Sequence, residues 1–555
     1  MGVVLNLVHG QPSGDRPGGA VAVRTYSSYV DGRDVDSGQY LYTVTTRSLL
    51  DDVFAGLSLK RRLEQGTLDA GSATADVVGR CALATPETVR EALDAAAAAA
   101  PVWGAVPLDT RMRLGVLIRD RLRRGHSELV ELMVAEGSPR ALAQWQVAGL
   151  LDLFSPQTLR WCESQLRHEF RHGPRRLTVR RVPDGVVCVN PPQNAPAASA
   201  LFGITPLLAG NAVVVRAPRS APLGVMYALR ELVVPALAEL GAPAGVLNVF
   251  CARPGPTIKA WLESPVVNDI FYTGDVERGL AFERECVASG KKPILELAGN
   301  DCVVVWRDAD LELAVEALTE CFYGSGQICM VPNQVVAHPE IADELLVRLS
   351  RAAARIRPGY PEDPGVLLSP VLRSERFFSY VRDALAHGAT LVHGARRLEV
   401  DGSVSDTGLF LEPTVLRVDG LAGARRIEAV RAETFFPLLP VIVPEPGEAT
   451  AARVLEHVNS NPYGLRNSLW AKDPAVVDWF VARVVNGGLL KVNDSHIGFL
   501  PYLPTHGGTG LTGGAFGEAN YPMLRSSHLQ GVSIADGVRP SEAVFGAWSM
   551  SIEGF

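Results

Sequence analysis

A cysteine preceded by two glycines stands near the middle of the chain, where the stretch GSGQICM carries Cys329. Glycines allow a ligand to approach the backbone closely, and a cysteine thiolate is a nucleophile once a base has taken the thiol proton. A free cysteine is also a common small buried side chain, which is the interpretation that suits Cys321 on the preceding helical stretch. A nucleophilic Cys329 therefore requires an activating base from another part of the chain.

The candidate base lies in the stretch PILELAGN, where Glu296 interrupts an apolar, strand-like run. An unpaired charge is costly to bury, and a carboxyl in apolar surroundings has a raised pKa, which suits a general base near neutral pH. The alternative is a partly exposed residue at the edge of a sheet. The residues of this stretch alone leave both interpretations open.

A candidate oxyanion donor lies in PPQNAP, where Asn194 directly follows the apolar stretch GVVCVN. Asparagine at a strand-to-helix turn is most often structural. At the carboxyl end of a parallel strand, however, its amide can point at a developing oxyanion, and one such donor lowers a barrier by about 3–4 kcal/mol.

Alternating strands and helices must position these three side chains. Apolar strands are predicted at GVVCVN, AVVVRAP, GVLNVF and DIFYTG, with helices between them, and a second unit follows at CVVVW, QVVAH, PLLPVIV and GLLKVN. Near-continuous apolar strands at this spacing predict parallel sheets with crossover helices, so the fold class is α/β. Residues 26–44 are expected to form a hairpin around a DG turn, and residues 46–75 receive no role.

Composition excludes several classes of protein. The 555 residues, 47% hydrophobic and 20% charged, predict a soluble chain of two or three domains, and the net charge of -7 argues against nucleic acid or a membrane surface as partner. Eight scattered cysteines without a CxxC pair predict no metal site and a reducing compartment. Because no signal peptide and no apolar run of about 20 residues is evident, we expect a cytoplasmic protein.

Ordered motifs between about residues 76 and 536 resemble the aldehyde dehydrogenase superfamily. They are PQNAP with AGNAVVVRAP, then YTGDVERG, ELAGN, GQICM, AETFFP and HGGTGLTGG. Each motif alone is weak, but their common order is specific. The resemblance covers most of the chain.

The resemblance implies NAD(P)-dependent oxidation of an aldehyde to its acid. Cys329 attacks the carbonyl, the Asn194 amide and the Cys329 N–H hold the oxyanion, hydride passes to the nicotinamide, and Glu296 activates water to hydrolyse the thioester. One alternative is the same scaffold working on thioesters, by acyl transfer to coenzyme A or by reduction of an acyl thioester. Another is a non-catalytic binding protein that kept the fold.

The resemblance also implies which residues contact the cofactor: Arg216, Arg219, Thr273, Gly274, Asp275, Gly279, Glu433 and Phe435. The family often has glutamate where Arg219 stands, and arginine suits a phosphate, so NADP is the expected cofactor and NAD the alternative. Asp275 replaces a small hydroxyl residue and sits poorly near a pyrophosphate unless it caps the following helix. In AETFFP, Phe436 replaces a glycine.

The expected architecture has three parts. A Rossmann-like cofactor domain takes residues 76–164 and 185–297, an α/β catalytic domain takes 298–524, and a small β oligomerisation arm takes 165–184 and 525–536. Residues 1–75 form an N-terminal extension and 537–555 a tail. Because exposed strand edges invite pairing, the arm predicts a homodimer or homotetramer.

Overall fold

The computed structural model describes residues 23–69, 71, 76–517 and 521–545; the rest of the N-terminal extension and of the tail lies outside the described residues. The described strands are β1 (Arg24–Tyr26), β2 (Ser28–Val30), β3 (Arg33–Val35), β4 (Tyr40–Val44), β5 (Val77–Ala82), β6 (Arg167–His172), β7 (Arg175–Pro183), β8 (Val186–Asn190), β9 (Ala212–Ala217), β10 (Leu247–Cys251), β11 (Val267–Thr273), β12 (Lys292–Glu296), β13 (Asp301–Val305), β14 (Pro332–Ala337), β15 (Thr390–His393), β16 (Arg397–Leu398), β17 (Phe410–Leu411), β18 (Thr414–Asp419), β19 (Leu438–Val443), β20 (Tyr463–Gly464), β21 (Arg466–Trp470), β22 (Leu489–Val492) and β23 (Ser527–Ala535).

Helices separate most of these strands. They are α1 (Thr46–Asp51), α2 (Val53–Glu64), α3 (Pro86–Gly104), α4 (Leu108–Ala135), α5 (Arg140–Leu153), α6 (Pro156–Leu166), α7 (Pro196–Gly203), α8 (Pro206–Ala209), α9 (Leu223–Tyr227), α10 (Val234–Glu239), α11 (Pro254–Glu263), α12 (Val276–Ala288), α13 (Leu311–Thr319), α14 (Ala342–Ala353), α15 (Glu375–Ala386), α16 (Leu421–Ala424), α17 (Glu428–Arg431), α18 (Thr450–Asn459), α19 (Pro474–Arg483), α20 (Gly510–Gly513) and α21 (Pro522–Arg525). A π-helical segment (Ala228–Val233) joins α9 to α10, and a 3-10 segment (Glu320–Gly326) follows α13.

Two seven-stranded sheets form the framework. The first has the order β12-β11-β8-β9-β10-β2-β3 and the second β15-β18-β19-β14-β13-β21-β22. Strands β8 to β12 are parallel to one another in the first sheet, β2 pairs antiparallel with β10 and with β3, and all pairs of the second sheet are parallel except β15 with β18. The predicted α/β fold class with parallel sheets is therefore confirmed.

The order of the first sheet creates a crevice at the carboxyl ends of its strands. From β8 the chain proceeds outward through β9 and β10, then returns to place β11 and β12 on the other side of β8. Such a reversal leaves a gap between the connections that leave the two central strands, where nucleotides bind in open α/β sheets. Asn190, Thr273 and Glu296 end the strands that flank this gap.

The N-terminal region builds onto the first sheet. Strands β2 and β3 form the predicted hairpin at Asp31 and Gly32, whose φ angles of 50° and 75° are left-handed. The hairpin does not extend to residue 44 as expected, because β4 pairs with β5 in a separate sheet of order β1-β5-β4. Helices α1 and α2 occupy the stretch to which the sequence assigned no role.

The segments assigned to an arm form a third, smaller sheet of order β23-β7-β6. Its strands are antiparallel, and β23 pairs with β7 along its whole length, with Gly531 opposite Val179. Every residue of β6 is exposed. Strand β6 lies at the edge of this sheet, and among the described strands it pairs with β7 alone. Its side chains are exposed to solvent.

Candidate active site

The turn that presents Cys329 lies between the 3-10 segment and β14. Gly324, Ser325 and Gly326 have φ angles of 60°, 58° and 72°, all left-handed. Ser325 is held in this conformation by Ser369, because its Oγ donates to the Ser369 carbonyl over 2.5 Å and accepts from the Ser369 N–H over 3.0 Å. At Gly326 a Cβ would lie 2.2 Å from the carbonyl oxygen of Phe436. The glycines are therefore required for this path of the chain.

Cys329 and Glu296 are joined directly. The Cys329 thiol donates to Oε1 of Glu296 over 3.1 Å. Glu296 is 4% exposed although β12 is an edge strand, so the interpretation as a partly exposed residue is wrong. Burial first, and then the negative charge of Glu296, raise the pKa of Cys329 well above its ordinary value. The pair is thus a protonated thiol beside a carboxylate that can accept its proton.

Asn194 reaches the same turn from the loop between β8 and α7. Its Nδ2 donates to the carbonyl of Gln327 over 2.9 Å, two residues before the cysteine. The side chain is otherwise exposed. The structure therefore brings the Asn194 amide to the cysteine turn, where it is bonded to the backbone rather than to the thiol.

The turn after β12 lies against the back of Cys329. A Cβ on Gly299 would lie 2.3 Å from the Cys329 carbonyl oxygen, so only glycine allows this approach. Thr512 fixes the turn, since its Oγ1 donates to the Ala298 carbonyl and its own carbonyl accepts from the Leu297 N–H, both over 2.8 Å. The motifs ELAGN and HGGTGLTGG are thereby parts of one site.

Glu433 and Phe435 lie in the loop before β19. Oε1 of Glu433 accepts from the Gly299 N–H over 3.1 Å, and burial raises the pKa of Glu433 to about 8. Phe435 has a left-handed φ of 57° and is half-buried. Glu433 lies beside the turn that carries Cys329, since Gly299 donates to Glu433 and approaches the Cys329 carbonyl closely.

The start of α12 explains why an aspartate stands at position 275. Thr273 ends β11, Gly274 donates its N–H to the Glu296 carbonyl over 3.2 Å, and Oδ1 of Asp275 accepts from the Arg278 N–H over 3.0 Å. Asp275 is therefore the N-cap of α12, the condition under which a carboxylate is favourable here. A Cβ on Gly279 would lie 2.2 Å from the Leu297 side chain, so close packing of α12 requires this glycine.

The two arginines after β9 differ in their surroundings. Arg216 is buried and donates to Asn190 Oδ1 over 2.7 Å and to the Ala252 carbonyl over 3.1 Å. It ties together the carboxyl ends of three strands, a structural role that the sequence did not predict. Arg219 is half-buried, and among the described residues its buried Nε has no hydrogen-bond partner. An unpaired buried donor at the edge of the crevice fits an anionic cofactor.

The model of the aldehyde dehydrogenase family matches residues 67–525. The chain belongs to this family. Its relatives include the succinate-semialdehyde dehydrogenase [NADP(+)] GabD of Escherichia coli, 29% identical over 430 residues, which are 76% of this chain and 85% of the relative. Another is the benzaldehyde dehydrogenase [NAD(+)] of Pseudomonas putida, 28% identical over 463 residues, 80% of this chain and 88% of the relative.

Solved structures of the family share the fold. The NAD-dependent aldehyde dehydrogenase from Sinorhizobium meliloti has a TM-score of 0.76 at 24% identity, with 93% of this chain and 96% of that chain covered. The glyceraldehyde-3-phosphate dehydrogenase GapN from Methanocaldococcus jannaschii, complexed with NADP, has a TM-score of 0.72 at 24% identity, with 83% and 97% covered.

Around Cys329 of this family member lies an apolar shell. Cys329 packs in one cluster with residues from four parts of the chain: Trp145, Tyr323, Ile328, Met330, Val331, Leu465 and Ile497. Cys321, by contrast, is 1% exposed and packs in the core of the second sheet, as the sequence predicted. The shell explains the desolvation of the Cys329 thiol.

A buried polar network beneath this shell was missed by sequence reasoning. The guanidinium of Arg466 donates to the carbonyls of His496 and Thr505 over 2.6 and 2.7 Å. His496 in turn bonds Asp301 Oδ2 over 3.1 Å and Ser468 Oγ over 2.6 Å. Burial lowers the pKa of His496 to about 3, so its imidazole is neutral. Arg466 is the nearby positive charge that opposes the raised pKa of Cys329.

Within the described ranges no helix is long and apolar enough to cross a membrane. No group of three or more histidine, cysteine or acidic side chains in those same residues is arranged to hold a metal ion.

Proposed function

We propose that the protein oxidises an aldehyde to the carboxylic acid, with NADP or NAD as hydride acceptor, through a covalent adduct on Cys329. The observation that carries this proposal is the bond between the Cys329 thiol and the buried Glu296 carboxylate. Membership in the aldehyde dehydrogenase family, with relatives named for semialdehyde and benzaldehyde oxidation, supports the same chemistry.

In the first step the sulfur attacks the aldehyde carbon. Glu296 accepts the thiol proton as the C–S bond forms, and the carbonyl oxygen becomes an alkoxide. An amide group carries two hydrogens, so Asn194 can keep its bond to Gln327 while its second hydrogen meets that oxygen. A nicotinamide cofactor bound in the crevice would supply the hydride acceptor that this adduct needs in order to become a thioester on Cys329.

In the second step water replaces the sulfur. Glu296 first passes the proton that it took from the thiol to solvent. Because the acylated sulfur has no proton to donate, the carboxylate is then free to take a proton from water. The new C–O bond forms as the C–S bond breaks, and the sulfur regains a proton as the acid leaves. One carboxylate thus serves both half-reactions because it lies beside the sulfur throughout.

The cofactor would lie in the crevice of the first sheet. Thr273, Gly274 and the amides at the start of α12 suit the pyrophosphate, while Glu433 and Phe435 suit the nicotinamide ribose. The unpaired Nε of Arg219 supports NADP as the preferred cofactor. The apparent affinities for NADP and NAD test the preference for NADP, and clearly tighter binding of NAD would contradict it.

Two further proposals concern assembly and setting. The three-stranded sheet of β6, β7 and β23 supports a homodimer or homotetramer built through the arm. The eight cysteines are all free, which supports a reducing, cytoplasmic setting. Sedimentation of the full chain and of a variant without residues 167–183 tests the assembly.

The decisive experiment is a panel of aldehydes followed at the NAD(P)H absorbance band, with wild type and Cys329→Ala. We expect turnover in wild type only. For Glu296→Gln we expect a residual burst of hydride transfer and a steady-state rate lower by about 100-fold or more, the contribution of a general base. Product analysis with and without coenzyme A separates hydrolysis from acyl transfer. If wild type is inactive but still binds the cofactor, the protein is a non-catalytic binding protein and the proposed oxidation is wrong.

A further inference from the structure

Helix α5 lies along the turn that presents Cys329. A Cβ on Gly324 would lie 3.5 Å from Cδ1 of Leu142, near the start of the helix. One turn later, Trp145 packs in the same apolar cluster as Cys329. Because residues three or four apart lie on one face of a helix, this face of α5 covers the cysteine turn.

Aromatic rings continue from this face of α5 towards α7. A Cβ on Gly149, which lies on the same face, would be 3.4 Å from the ring of Phe499. The ring centroids of Phe499 and His506 are 6.0 Å apart, and those of His506 and Phe202 are 5.0 Å apart. Phe202 stands on α7, which begins two residues after Asn194. A row of rings therefore joins the cover of the cysteine turn to the helix beside the candidate oxyanion donor.

Two rings of the apolar shell keep exposed surface beside Cys329. Trp145 and Tyr323 are half-buried, as is Cys329 itself. By contrast, Val331 and Leu465 of the same cluster are each 1% exposed. Apolar surface next to a nucleophile is where the apolar part of a substrate is buried most favourably. The two rings therefore offer an aromatic contact to the part of the aldehyde beyond its carbonyl, which we call the tail.

The basic side chains beneath the shell are bonded to the protein or neutral. The buried guanidinium of Arg466 donates to two backbone carbonyls over 2.6 and 2.7 Å, and Lys491 donates to carbonyls on both sides of Ile497 over 2.5 and 2.8 Å. Burial lowers the pKa of His506 and brings that of His496 to about 3, so both imidazoles favour the neutral form. A carboxylate on the substrate tail would lose hydration here without gaining a free cation from these four groups.

We propose that the substrate is an uncharged aromatic aldehyde, whose ring packs against Trp145 and Tyr323 while its carbonyl carbon lies at Cys329. Aromatic pairs gain free energy beyond the area that they bury, so the half-buried ring of Trp145 favours an aromatic tail over a charged one. Trp145 is a specificity-determining residue, since it contacts the tail and not the reacting atoms. This inference rests on the proposed function.

The first test compares two aldehydes that differ by one carboxylate. Steady-state kinetics of the full chain measure kcat/KM for benzaldehyde and for 4-carboxybenzaldehyde with the same cofactor. We expect the value for benzaldehyde to be higher by about 100-fold, because the charged tail is desolvated without a partner. A wild type that oxidises 4-carboxybenzaldehyde as well as benzaldehyde overturns the proposal.

The second test assigns the preference to Trp145. For Trp145→Leu we expect kcat/KM for benzaldehyde to fall about tenfold, while the value for acetaldehyde, which has no tail beyond a methyl group, changes by less than about twofold. Trp145→Phe keeps a ring and is expected to keep most of the activity with benzaldehyde. Trp479→Leu is the matched control, because Trp479 is also half-buried but packs on the core of the second sheet. It is expected to change neither value.

The outcomes distinguish this inference from the proposed function. An equal loss for both aldehydes in Trp145→Leu means that Trp145 supports the cysteine turn, and it overturns the role in specificity. Oxidation of acetaldehyde without oxidation of benzaldehyde overturns the inference and leaves aldehyde oxidation intact. If wild type oxidises none of the three aldehydes and no other aldehyde of the panel, the proposed function is wrong and the inference falls with it.

Discussion

The backbone N–H of Gly299 donates to the Glu433 carboxylate over 3.1 Å, and a Cβ on the same glycine would lie 2.3 Å from the carbonyl of Cys329. One residue without a side chain therefore separates Cys329 from an acid in the loop before β19. Burial raises the pKa of Glu433 to about 8, so the dependence of stability on pH can report on this residue.

Glu433 is expected to make stability depend on pH. Burial raises its pKa from 4.5 to about 8, so the folded chain holds a proton that the unfolded chain releases. This stabilisation is fully present below the unfolded pKa of 4.5 and is lost as pH rises through about 8. Between these values one group changes the free energy of unfolding by at most about 1.4 kcal/mol per pH unit. Glu433→Gln keeps an acceptor for Gly299 and is expected to flatten the profile.

Urea denaturation at about pH 5.5 and about pH 7.5, inside this window, measures the effect of Glu433. Glu316→Gln, an exposed change on α13, serves as the control and should keep the wild-type slope. Equal slopes for wild type and Glu433→Gln would show that Glu433 is ionised in the folded state.

The charge of Glu296 is expected to suppress the free thiolate of Cys329. Because the carboxylate raises the pKa of Cys329, Glu296→Gln should move the pH midpoint of alkylation by iodoacetamide to lower pH. Mass spectrometry of the labelled peptide follows the reaction, and Cys329→Ala identifies labelling elsewhere. A midpoint that moves to higher pH would mean that Glu296 acts on the thiol mainly as a base and not through its charge.

Gly326→Ala is expected to disturb the presentation of Cys329. The new Cβ would lie 2.2 Å from the Phe436 carbonyl oxygen at a φ of 72°, a conformation that costs about 1–2 kcal/mol for other residues. A shift of the turn by about 1 Å lowers kcat about 100-fold. Gly255→Ala is the control, since nothing lies within 4 Å of its added Cβ. Steady-state kinetics of both variants decide whether the turn tolerates the methyl group.

Arg466→Met is expected to destabilise the second sheet. It leaves the buried carbonyls of His496 and Thr505 without their guanidinium donors, at a cost of about 1–3 kcal/mol for each acceptor left unsatisfied. It also removes the positive charge that opposes the raised pKa of the buried Asp301. Thermal unfolding measures the loss. The double variant with Asp301→Asn should lose less than the sum of the single losses because the two residues interact. Strict additivity would mean that Asp301 and Arg466 are energetically independent.

Local sequence predicted the elements well where one physical cause dominates. Asp31 with Gly32 supplies the left-handed turn of the predicted β2–β3 hairpin. The predicted strands of both sheets follow from near-continuous runs of buried apolar residues. Each of these signals acts within a few residues of the chain.

Features that depend on distant pairing could not be predicted. β4 leaves the expected hairpin because β5, more than thirty residues later, offers it a partner. Arg466 reads as an isolated charge in a strand until His496 and Thr505 are placed around it. The bond from Arg216 to Asn190 likewise depends on a neighbouring strand, since a long cation at a strand end bonds to whichever acceptors that strand brings. The cofactor contact expected of Arg216 stays a prediction.

The arm also bears on how the chain is made. β7 pairs on one side with its neighbour β6, but on the other side with β23, which begins at Ser527 near the end of the chain. During synthesis the edge of β7 waits unpaired until β23, more than three hundred residues later in the chain, has left the ribosome. A chain stalled before β23 therefore exposes an unpaired strand edge, which favours aggregation.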